Sequence, residues 1–549
     1  MLYREISKIL GFYLYGFTVP LLLPLIIAGY YQFFADTQSH PQPHTTAHFF
    51  VTILVCLLLG GVFHYFGREA SGHVYRKEGL AMVVMIWILT PVICALPFFL
   101  SGTLKNPIAA YFEATSGLTT TGSTALTAKK FNQDGKEIPI QETVKGVIDT
   151  TYVFYGTVEP VRDPITHQIL YEGIEAVGKA LLFWRSFIQW LGGGGIIVLF
   201  VAILPILGAG GRVLFQTEVT GPIKDTLTPR IKATAIELWK IYLWVTLLEV
   251  IILIATNTKM ELFDAVTIAF AAISTGGFSI RNANIAYYQS SATEWAVLVC
   301  MLLGSINFSL YYFAMRGKFY KIFKPEFFLY LIVIALTCAI TIWALVGEPN
   351  ESLTGAPIIP FSVTEAIRHG SFQIVSAITT SGFITVNYDI FPYVAQVVML
   401  IVMFVGGMSG STAGGIKIMR HYMLFRIAQH QVEFLFRPKW VQALKIAGKE
   451  VDTHAIVMVL CFFLIIIAVS VLGTFLYVLD GMDPKTALGL VGCMINDTGL
   501  SFRAAGPWQS CAFLSNFSYL LSCALMIMGR LEFFAVFAFL IPAFWKQNE

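Results

Sequence analysis

The chain has 549 residues, of which 56% are hydrophobic and only 13% are charged, and its mean hydropathy is +0.71. These values lie outside the range of soluble globular proteins and indicate a polytopic membrane protein. The formal net charge of +3 suggests no nucleic-acid partner, and eight cysteines without a CxxC pair suggest neither disulfides nor a metal site.

Taken in chain order, the apolar runs predict ten membrane crossings. Runs long enough to cross as helices, about 20 residues each, fall near 10–34, 49–67, 80–100, 181–207, 236–256, 292–315, 327–347, 392–420, 453–479 and 511–545. Residues 1–8 are too short and too mixed for a cleaved signal, so we expect the first helix to be retained. The first two crossings stand apart, and the other eight form four pairs, each flanking a half-length apolar segment.

Each half-length segment stops at a glycine that follows hydroxyl or amide residues. The stops read LTTTG at 118–122, ISTGG at 273–277, ITTSG at 378–382 and INDTG at 495–499. Aligned on these glycines, the sixth residue before each is small: Ser116, Ala271, Ser376 and Cys493. Two of the segments begin with an N-cap and a proline, Asn106-Pro107 and Asp483-Pro484, at the same offset. A single Thr-Gly pair would only cap a helix, but four at matched depth predict an internal repeat.

This repeat divides the chain into an N-terminal helix pair and four similar units. The expected boundaries are 1–79 for the pair and 80–235, 236–326, 327–450 and 451–549 for the units. The first unit carries an outer insertion at about 127–179, whose alternating stretch at 151–158 predicts a small β-containing cap. We therefore expect an all-α polytopic membrane protein with four tandem helix–pore loop–helix repeats around a central pore, plus two extra N-terminal transmembrane helices.

The basic residues predict the orientation. Lys and Arg concentrate in one set of loops, near 4–8, 68–77, 212–232, 316–324 and 420–449, whereas 35–48 and 347–360 contain none. The positive-inside rule places the basic loops and both termini in the cytoplasm. The four glycines then open towards the outer face, and the basic residues of the long insertion are exempt from the rule because it discounts long loops.

Four such segments around one axis suit a monovalent cation. Helix C-termini aimed at the axis offer partial negative charge. Extended carbonyl groups beyond them can replace the water shell of an ion, and glycine permits the torsions this requires. Filters selective for divalent ions usually carry rings of carboxylates, and here only Asp497 could contribute one. The expected potassium filter comprises Thr120, Thr121, Gly122, Thr275, Gly276, Gly277, Thr380, Ser381, Gly382, Asp497, Thr498 and Gly499, with potassium held by backbone carbonyls.

Over nearly its whole length the chain resembles the Trk/Ktr/HKT superfamily of potassium transporters, and within it the bacterial TrkH-type membrane subunits. The resemblance is carried by FWRS at 183–186, QWLGG at 189–193, TPR at 228–230, STGGFS at 274–279, GSTAGGIK at 410–417 and GRLE at 529–532. The four filter glycines of the family map onto the four glycines aligned above. The chain departs from the family where the fourth filter continues Gly499-Leu500-Ser501 instead of Gly-Pro-Gly, and where Asp497 stands beside the filter.

The resemblance implies potassium uptake across the bacterial inner membrane through a selective, channel-like pore, with no cofactor and no enzymatic activity. It also implies a homodimer and a cytoplasmic TrkA-type nucleotide-binding regulatory ring that docks on the basic loop around 420–450. That loop could instead meet anionic membrane lipid. The chain itself has neither a GxGxxG after a strand nor a phosphate-binding Gly-x4-Gly-Lys, so we expect no nucleotide site of its own.

A glycine-rich stretch in the third unit predicts a gate. Five glycines in residues 406–415 disfavour a continuous helix by about 1 kcal/mol each. Alternatively, the i, i+4, i+8 spacing of Gly406, Gly410 and Gly414 would suit a close helix-packing face. In the resembling family this stretch forms an intramembrane loop beneath the filter. The expected gate comprises Gly406, Gly407, Gly410, Ser411, Thr412, Gly414, Gly415, Lys417 and Arg530. In the first unit, we expect the run Gly192–Gly195 only to thin the helix for close packing.

Arg530 lies within the last apolar segment. An arginine at bilayer depth should face protein or water, which predicts a fixed positive charge below the filter. The alternative is that its side chain snorkels to the membrane surface from near a helix end.

A sodium- or proton-coupled secondary cation transporter is the alternative function. It would need broken helices and carboxylates or histidines near the middle of the membrane. Glu113, Asp264, Glu365 and His369 are candidates, but we expect them to be helix caps or vestibule charges. An intramembrane hydrolase is not indicated, because no nucleophile and base are paired at membrane depth.

Overall fold

The computed structural model describes residues 2–35, 44–70, 76–132, 134–145, 149–163, 165–202, 229–355, 358–436, 445–446, 449–451 and 453–545. The chain is 68% helical, so it is an all-α polytopic membrane protein, as expected. The predicted basic loop at 212–228, with Thr228 of the TPR motif, lies outside the described residues, as does 437–444 of the predicted docking loop.

The helices follow the apolar runs. The first part of the chain forms α1 (Leu2–Phe33), α2 (Thr46–Phe66), α3 (Arg76–Leu100), α4 (Pro107–Leu118) and α5 (Lys179–Ala202). Next come α6 (Pro229–Thr256), α7 (Leu262–Ile273), α8 (Ser291–Ser305), α9 (Phe308–Met315), α10 (Pro325–Leu345), α11 (Val363–Ile378), α12 (Tyr393–Val405) and α13 (Ile418–Phe436). The last part forms α14 (Thr453–Leu479), α15 (Pro484–Asn496), α16 (Asn516–Arg530), α17 (Phe534–Leu540) and α18 (Pro542–Trp545).

Several predicted crossings are broken rather than straight. Among the described residues, six helices are long and apolar enough to cross a membrane, or eight if each of two bent pairs counts as one span. The pair α8–α9 bends by 94° and the pair α16–α17 by 119°. The crossing predicted near 392–420 is interrupted between α12 and α13. Breaks therefore occur in the second crossing of three of the four predicted pairs.

Four short helices, α4, α7, α11 and α15, are the half-length segments of the sequence. They contain 12, 12, 16 and 13 residues, which is too few to cross a bilayer. Asn106 and Asp483 cap α4 and α15 through side-chain oxygens that accept backbone N–H groups, as predicted. Ser362 caps α11 in a reciprocal capping box with Glu365.

The predicted β-containing cap is present as three two-stranded hairpins. They pair β1 (Lys130–Phe131) with β2 (Glu137–Ile138), β3 (Ile140–Val144) with β4 (Thr150–Phe154), and β5 (Val161–Arg162) with β6 (Ile169–Tyr171). Two further small pairs join β7 (Pro349–Asn350) to β8 (Ile359–Pro360) and β9 (Lys445–Ile446) to β10 (Lys449–Glu450). The Tyr152 hydroxyl donates to Asp483 Oδ2 at 2.9 Å, which ties the second hairpin to the N-cap of α15.

The glycine run in α5 allows close packing, as predicted. A Cβ built on Gly192 would lie 1.9 Å from the Leu118 carbonyl oxygen at the end of α4. One on Gly193 would lie 2.8 Å from the Ser274 side chain, and one on Gly194 would lie 2.7 Å from Trp239 of α6. α5 continues through the run without a break, so these glycines bring the ends of two short helices against one continuous helix.

Candidate ion pathway

The four glycine segments, defined as residues 120–122, 275–277, 380–382 and 497–499, meet in a closed ring. A Cβ built on the last glycine of each would lie 1.8 to 2.6 Å from a carbonyl oxygen of the next segment. The contacts run in chain order and return to the start: Gly122 to Gly276, Gly277 to Ser381, Gly382 to Thr498, and Gly499 to Thr121. The twelve residues predicted from the sequence are thus brought together, and no side chain larger than hydrogen fits at the four glycines.

The same backbone conformation recurs in all four segments. The second residue before each glycine is left-handed, with φ of 61° at Thr120, 55° at Thr275, 56° at Thr380 and 51° at Asp497. The glycines are also left-handed, with φ between 70° and 85°. The residue just before each glycine donates its N–H to the carbonyl of the small residue five positions earlier in the chain. The residue that accepts this bond is small in every segment, as the alignment of the four stops predicts.

Side-chain hydroxyls brace the reversal in the first and third segments. Ser116 donates to the carbonyl of Ser123 at 2.6 Å, and Ser376 donates to the carbonyl of Phe383 at 2.7 Å. The two bonds span the same distance along the chain, from the short helix to the residue after the glycine. Each bond joins the short helix to the residue after the glycine, and so stabilises the non-helical backbone of the segment between them.

A small cavity opens at one end of the ring. It has a volume of about 100 Å³ and is lined by all four glycines, with Arg185 and Arg281 among the other lining residues. The β3–β4 hairpin lies at this end, since the Tyr152 ring packs against Phe513 with 4.9 Å between ring centroids, and Cys511 of the same short helical turn lines the cavity. This end is therefore the face on which the β-hairpins lie.

Behind the first two segments, buried polar side chains fix the backbone. Gln189 of α5 donates from Nε2 to the Gly276 carbonyl at 2.6 Å and accepts the Phe278 N–H at its Oε1 at 3.1 Å. Its amide is therefore hydrogen-bonded to the backbone on both sides of Gly277. Gln189 is completely buried, so both of these bonds form away from solvent.

A buried ion pair lies next to this amide. Arg185 Nε donates to Glu113 Oε1 at 2.8 Å, with the two side chains 1% and 0% exposed. Arg185 also donates to the Ser279 carbonyl at 2.9 Å, and Glu113 accepts the Ala125 N–H at 2.8 Å. The pair thus links the chain just after the first and second glycine segments, and its remaining groups are hydrogen-bonded as a buried pair requires.

The expectation for Glu113 is wrong: it is neither a helix cap nor a vestibule charge but a fully buried partner of Arg185, a role that was not predicted. The expectation holds for Glu365, which caps α11. Asp264 accepts from Arg281 Nη2 at 2.9 Å, and His369 Nδ1 lies 3.0 Å from the Thr385 hydroxyl. The signal that could have identified the missed pair was Arg185 within an apolar crossing, because a charge at that depth demands a partner.

Residues 406–417 form an unwound loop between α12 and α13, so the packing-face alternative does not apply. Gly406, Gly410 and Gly415 have φ near +70°, and Lys417 has φ of 77°. The loop touches three of the four short-helix ends: Thr412 Oγ1 donates to the Ile273 carbonyl at 2.8 Å, Gly414 N–H donates to Thr380 Oγ1 at 2.6 Å, and Gly415 N–H donates to the Asn496 carbonyl at 3.1 Å. It therefore lies across the end of the ring opposite the hairpins.

Arg530 faces protein, which excludes the snorkelling alternative. Its side chain is 3% exposed, and Nη1 donates to the Thr412 carbonyl at 2.9 Å. Lys417 donates to the Ala413 carbonyl within the same loop. Just beyond, Arg420 of α13 donates to Glu532 Oε2 at 2.7 Å. The region of the break between α16 and α17 is thus tied to the middle of the loop and to the first turn of α13.

At the hairpin face a second cavity, of about 360 Å³, lies beside the ring entrance. Glu142 of β3, Asp389 and Arg503 contribute to its lining. Burial, with a smaller contribution from the charge of Asp389, raises the pKa of Glu142 to about 7. This carboxyl group therefore changes its charge near neutral pH.

The chemistry that the ring offers is that of neutral oxygen donors. The segments present backbone carbonyls and threonine and serine hydroxyls, with Asp497 as the one carboxylate among the twelve residues. Within the described residues, no group of three or more His, Cys, Asp or Glu side chains is arranged to hold a metal ion. Carbonyl and hydroxyl donors suit a weakly held monovalent cation.

The chain is similar to known cation transport proteins. Residues 165–546 match the family model TrkH, described as a cation transport protein. The chain is 28% identical over 561 residues to the Trk system potassium uptake protein TrkH of Escherichia coli (strain K12), covering 100% of both chains. It is 30% identical to the protein of the same name from Halomonas elongata, covering 99% of both. Among solved structures, the crystal structure of the potassium transporter TrkH from Vibrio parahaemolyticus matches with a TM-score of 0.80 at 28% identity, over 100% of both chains.

Proposed function

The chain belongs to the TrkH family of cation transport proteins, and we propose that it takes up potassium through a selective, channel-like pore whose filter is the ring of four glycine segments. The family is one of transporters and not of enzymes, in agreement with the expectation from the sequence. Potassium is the transported ion, and the family indicates no cofactor.

The closed ring is the observation that carries the proposal. Four segments of equal conformation surround one axis, and each glycine abuts a carbonyl of the next segment. Short helices end at the ring, so their C-terminal partial charges favour a cation there. The carbonyl groups can then replace the hydration shell of potassium without the strong attraction of a carboxylate ring, so the ion can also leave.

The 406–417 loop supports a gating role. It lies across the end of the ring opposite the hairpins and is held by hydrogen bonds to Ile273, Thr380 and Asn496. Arg530 adds a positive charge at the same place through its bond to the Thr412 carbonyl. A cation leaving the ring meets both, so the gate opens when the loop and Arg530 move aside.

The protein acts in the bacterial inner membrane, with both termini and the basic loops in the cytoplasm. The distribution of Lys and Arg supports this orientation. It works as a homodimer and is regulated by a TrkA-type nucleotide-binding ring that docks on the basic segment around 420–450. The names of the relatives, which assign them to a Trk system, support a partner subunit.

Rubidium flux tests the proposal. The purified chain is reconstituted into potassium-loaded vesicles without sodium and at equal pH on both sides, and uptake of radioactive rubidium is followed. We expect uptake that external potassium inhibits more strongly than sodium does. Uptake that appears only with an imposed sodium or proton gradient would instead establish the coupled secondary transporter.

The Thr412→Val variant keeps this test decisive if the wild-type loop remains closed, because it weakens the contacts that hold the loop. Protein-free vesicles give the background. Absence of flux in both the wild type and the variant would refute a channel-like pore.

A further inference from the structure

The residues two positions before the glycines form an inner layer of the ring, next to the 406–417 loop. Thr380 Oγ1 accepts the Gly414 N–H, and a Cβ built on Gly414 would lie 3.2 Å from Asp497 Cβ. Thr120 and Thr275 are the equivalent residues of the other two segments. This inner layer therefore contains three threonines and one aspartate.

Asp497 is buried there with one oxygen unused. Asp497 is only 1% exposed, and its Oδ1 accepts a hydrogen bond from the Thr121 hydroxyl at 2.8 Å. Oδ2 is buried without a hydrogen-bond partner in the structure, and so is the hydroxyl of Thr120, the residue before Thr121 in the chain. A buried carboxylate oxygen left unpaired is costly, so this site favours a ligand that is a cation or a donor.

Two cations attract this carboxylate, Arg530 more strongly and Lys417 of the loop less strongly, and Arg530 is itself only partly hydrogen-bonded. Its Nη1 bonds to the Thr412 carbonyl, whereas Nε and Nη2 are buried without partners. Asp497 and Arg530 attract each other electrostatically but form no direct hydrogen bond. Asp497 Oδ2 lies 3.4 Å from a Cβ built on Gly529, the residue before Arg530. The carboxylate thus faces the segment that carries the competing positive charge.

We propose that Asp497 binds the transported monovalent cation at the inner end of the ring, and that Arg530 competes for this carboxylate while the 406–417 loop occupies its present position. The inference rests on the proposed function, because it requires a cation to pass through the ring. When the loop and Arg530 move together, Oδ2 becomes available to the cation. One carboxylate among three hydroxyl residues supplies a single charge, which matches a monovalent ion.

Channel recordings from giant proteoliposomes test this pairing, with potassium varied on the side of the loop. Asp497→Asn should raise the half-saturating potassium concentration about tenfold, which corresponds to 1.4 kcal/mol. Asp497→Thr, which gives the fourth segment the residue of the other three, should act in the same way. Arg530→Gln should lower that concentration, and this effect should vanish in the Asp497→Asn background. An Arg530→Gln effect of equal size in both backgrounds would overturn the competition.

Varying potassium on the hairpin side separates ion binding from damage to the ring. Loss of the inner carboxylate should leave the half-saturating potassium concentration on the hairpin side within about twofold of the wild-type value. A distorted filter would change this concentration on both sides. Equal shifts on both sides, or no shift on either, would overturn the site. If Asp497→Asn does not fold, Arg530→Gln still tests the inference. A half-saturating potassium concentration that is unchanged in Arg530→Gln would overturn the inference but not the proposed function. A wild type that conducts no potassium would contradict the proposed function instead.

Discussion

Thr412→Val should weaken the hold of the 406–417 loop and increase flux. The Thr412 hydroxyl lies within hydrogen-bond distance of two carbonyl oxygens, that of Ile273 at 2.8 Å and that of Gly304 at 2.9 Å, and its single proton is shared between them. It therefore joins the loop to a short helix and to α8. Valine keeps a similar shape but cannot donate. The Gly304 carbonyl retains the Thr412 backbone N–H at 3.3 Å, so the main loss is the bond to Ile273.

The expected size follows from that loss. A typical hydrogen bond contributes about 1 kcal/mol, and a buried acceptor left without its donor costs about 1–3 kcal/mol. We therefore expect the loop position to be destabilised by about 1–2 kcal/mol, a factor of about 5–30 in the ratio of displaced to closed loop. Rubidium flux into proteoliposomes should rise by a factor within that range, because the loop obstructs the path.

Thr337→Val is the matched control. The Thr337 hydroxyl donates to the Val333 carbonyl within its own helix, α10, and so joins no separate elements. It should leave flux near the wild-type value. If Thr412→Val gave the same flux as Thr337→Val in folded protein, the loop would not limit transport and the reasoning would be refuted.

Three further changes test the ring and its surroundings. Glu113→Gln leaves the buried charge of Arg185 unpaired and should destabilise the protein by about 3–5 kcal/mol, seen as a lower midpoint of thermal unfolding in detergent. Gly277→Ala places a Cβ 1.8 Å from a neighbouring carbonyl at φ of +70°, and should abolish rubidium flux. The pKa of Glu142 is about 7, above the ordinary 4.5, so the folded state holds this proton more tightly and hairpin stability should fall as pH rises from about 4.5 to 7. Hydrogen exchange of residues 140–154, corrected for intrinsic rates, should show this trend, and Glu142→Gln should remove it.

Each of these three predictions has a control measurement and an outcome that would contradict it. Glu159→Gln alters an ion pair whose carboxylate side chain is 63% exposed and should cost under about 1 kcal/mol; an equal loss in Glu113→Gln would contradict a structural role for the buried pair. Gly102→Ala has a similar φ of +75° but no atom within 4 Å, so it should keep flux, and flux retained by Gly277→Ala would contradict a tight ring. Hairpin exchange that is equally pH-dependent in Glu142→Gln would assign the titration to another group.

Features that depend on neighbouring residues in the chain were predictable from the sequence. The four stops, the caps at Asn106 and Asp483, and the unwinding between α12 and α13 all agree with the structure. Each follows from a local cause: hydropathy over a segment, a side chain that accepts N–H groups two or three residues away, or the torsional freedom of glycine. Repetition strengthened these signals because the same local pattern appears four times.

The bends in the later crossings were not predictable in this way. The break between α8 and α9 has no glycine or proline at residues 305–308 to announce it. Asn307 caps α9, and the Phe308 N–H donates to the Gly410 carbonyl of the loop at 3.1 Å. The backbone groups freed by the bend are thus satisfied by a segment about a hundred residues away, so only the packed structure makes the bend acceptable.

The amino-acid sequence by itself determined where the four short helices stop, and that glycines stand where the ring requires left-handed torsions. Only the tertiary structure decided which group each buried charged side chain contacts. Arg185 donates to Glu113, which lies 72 residues away in the chain, and Arg530 donates to the carbonyl of Thr412, 118 residues away. Asp497 accepts from Thr121, 376 residues away. A buried charge dictates that some partner must exist, but many residues could serve, and only the packing of the helices fixes which one lies within hydrogen-bond distance.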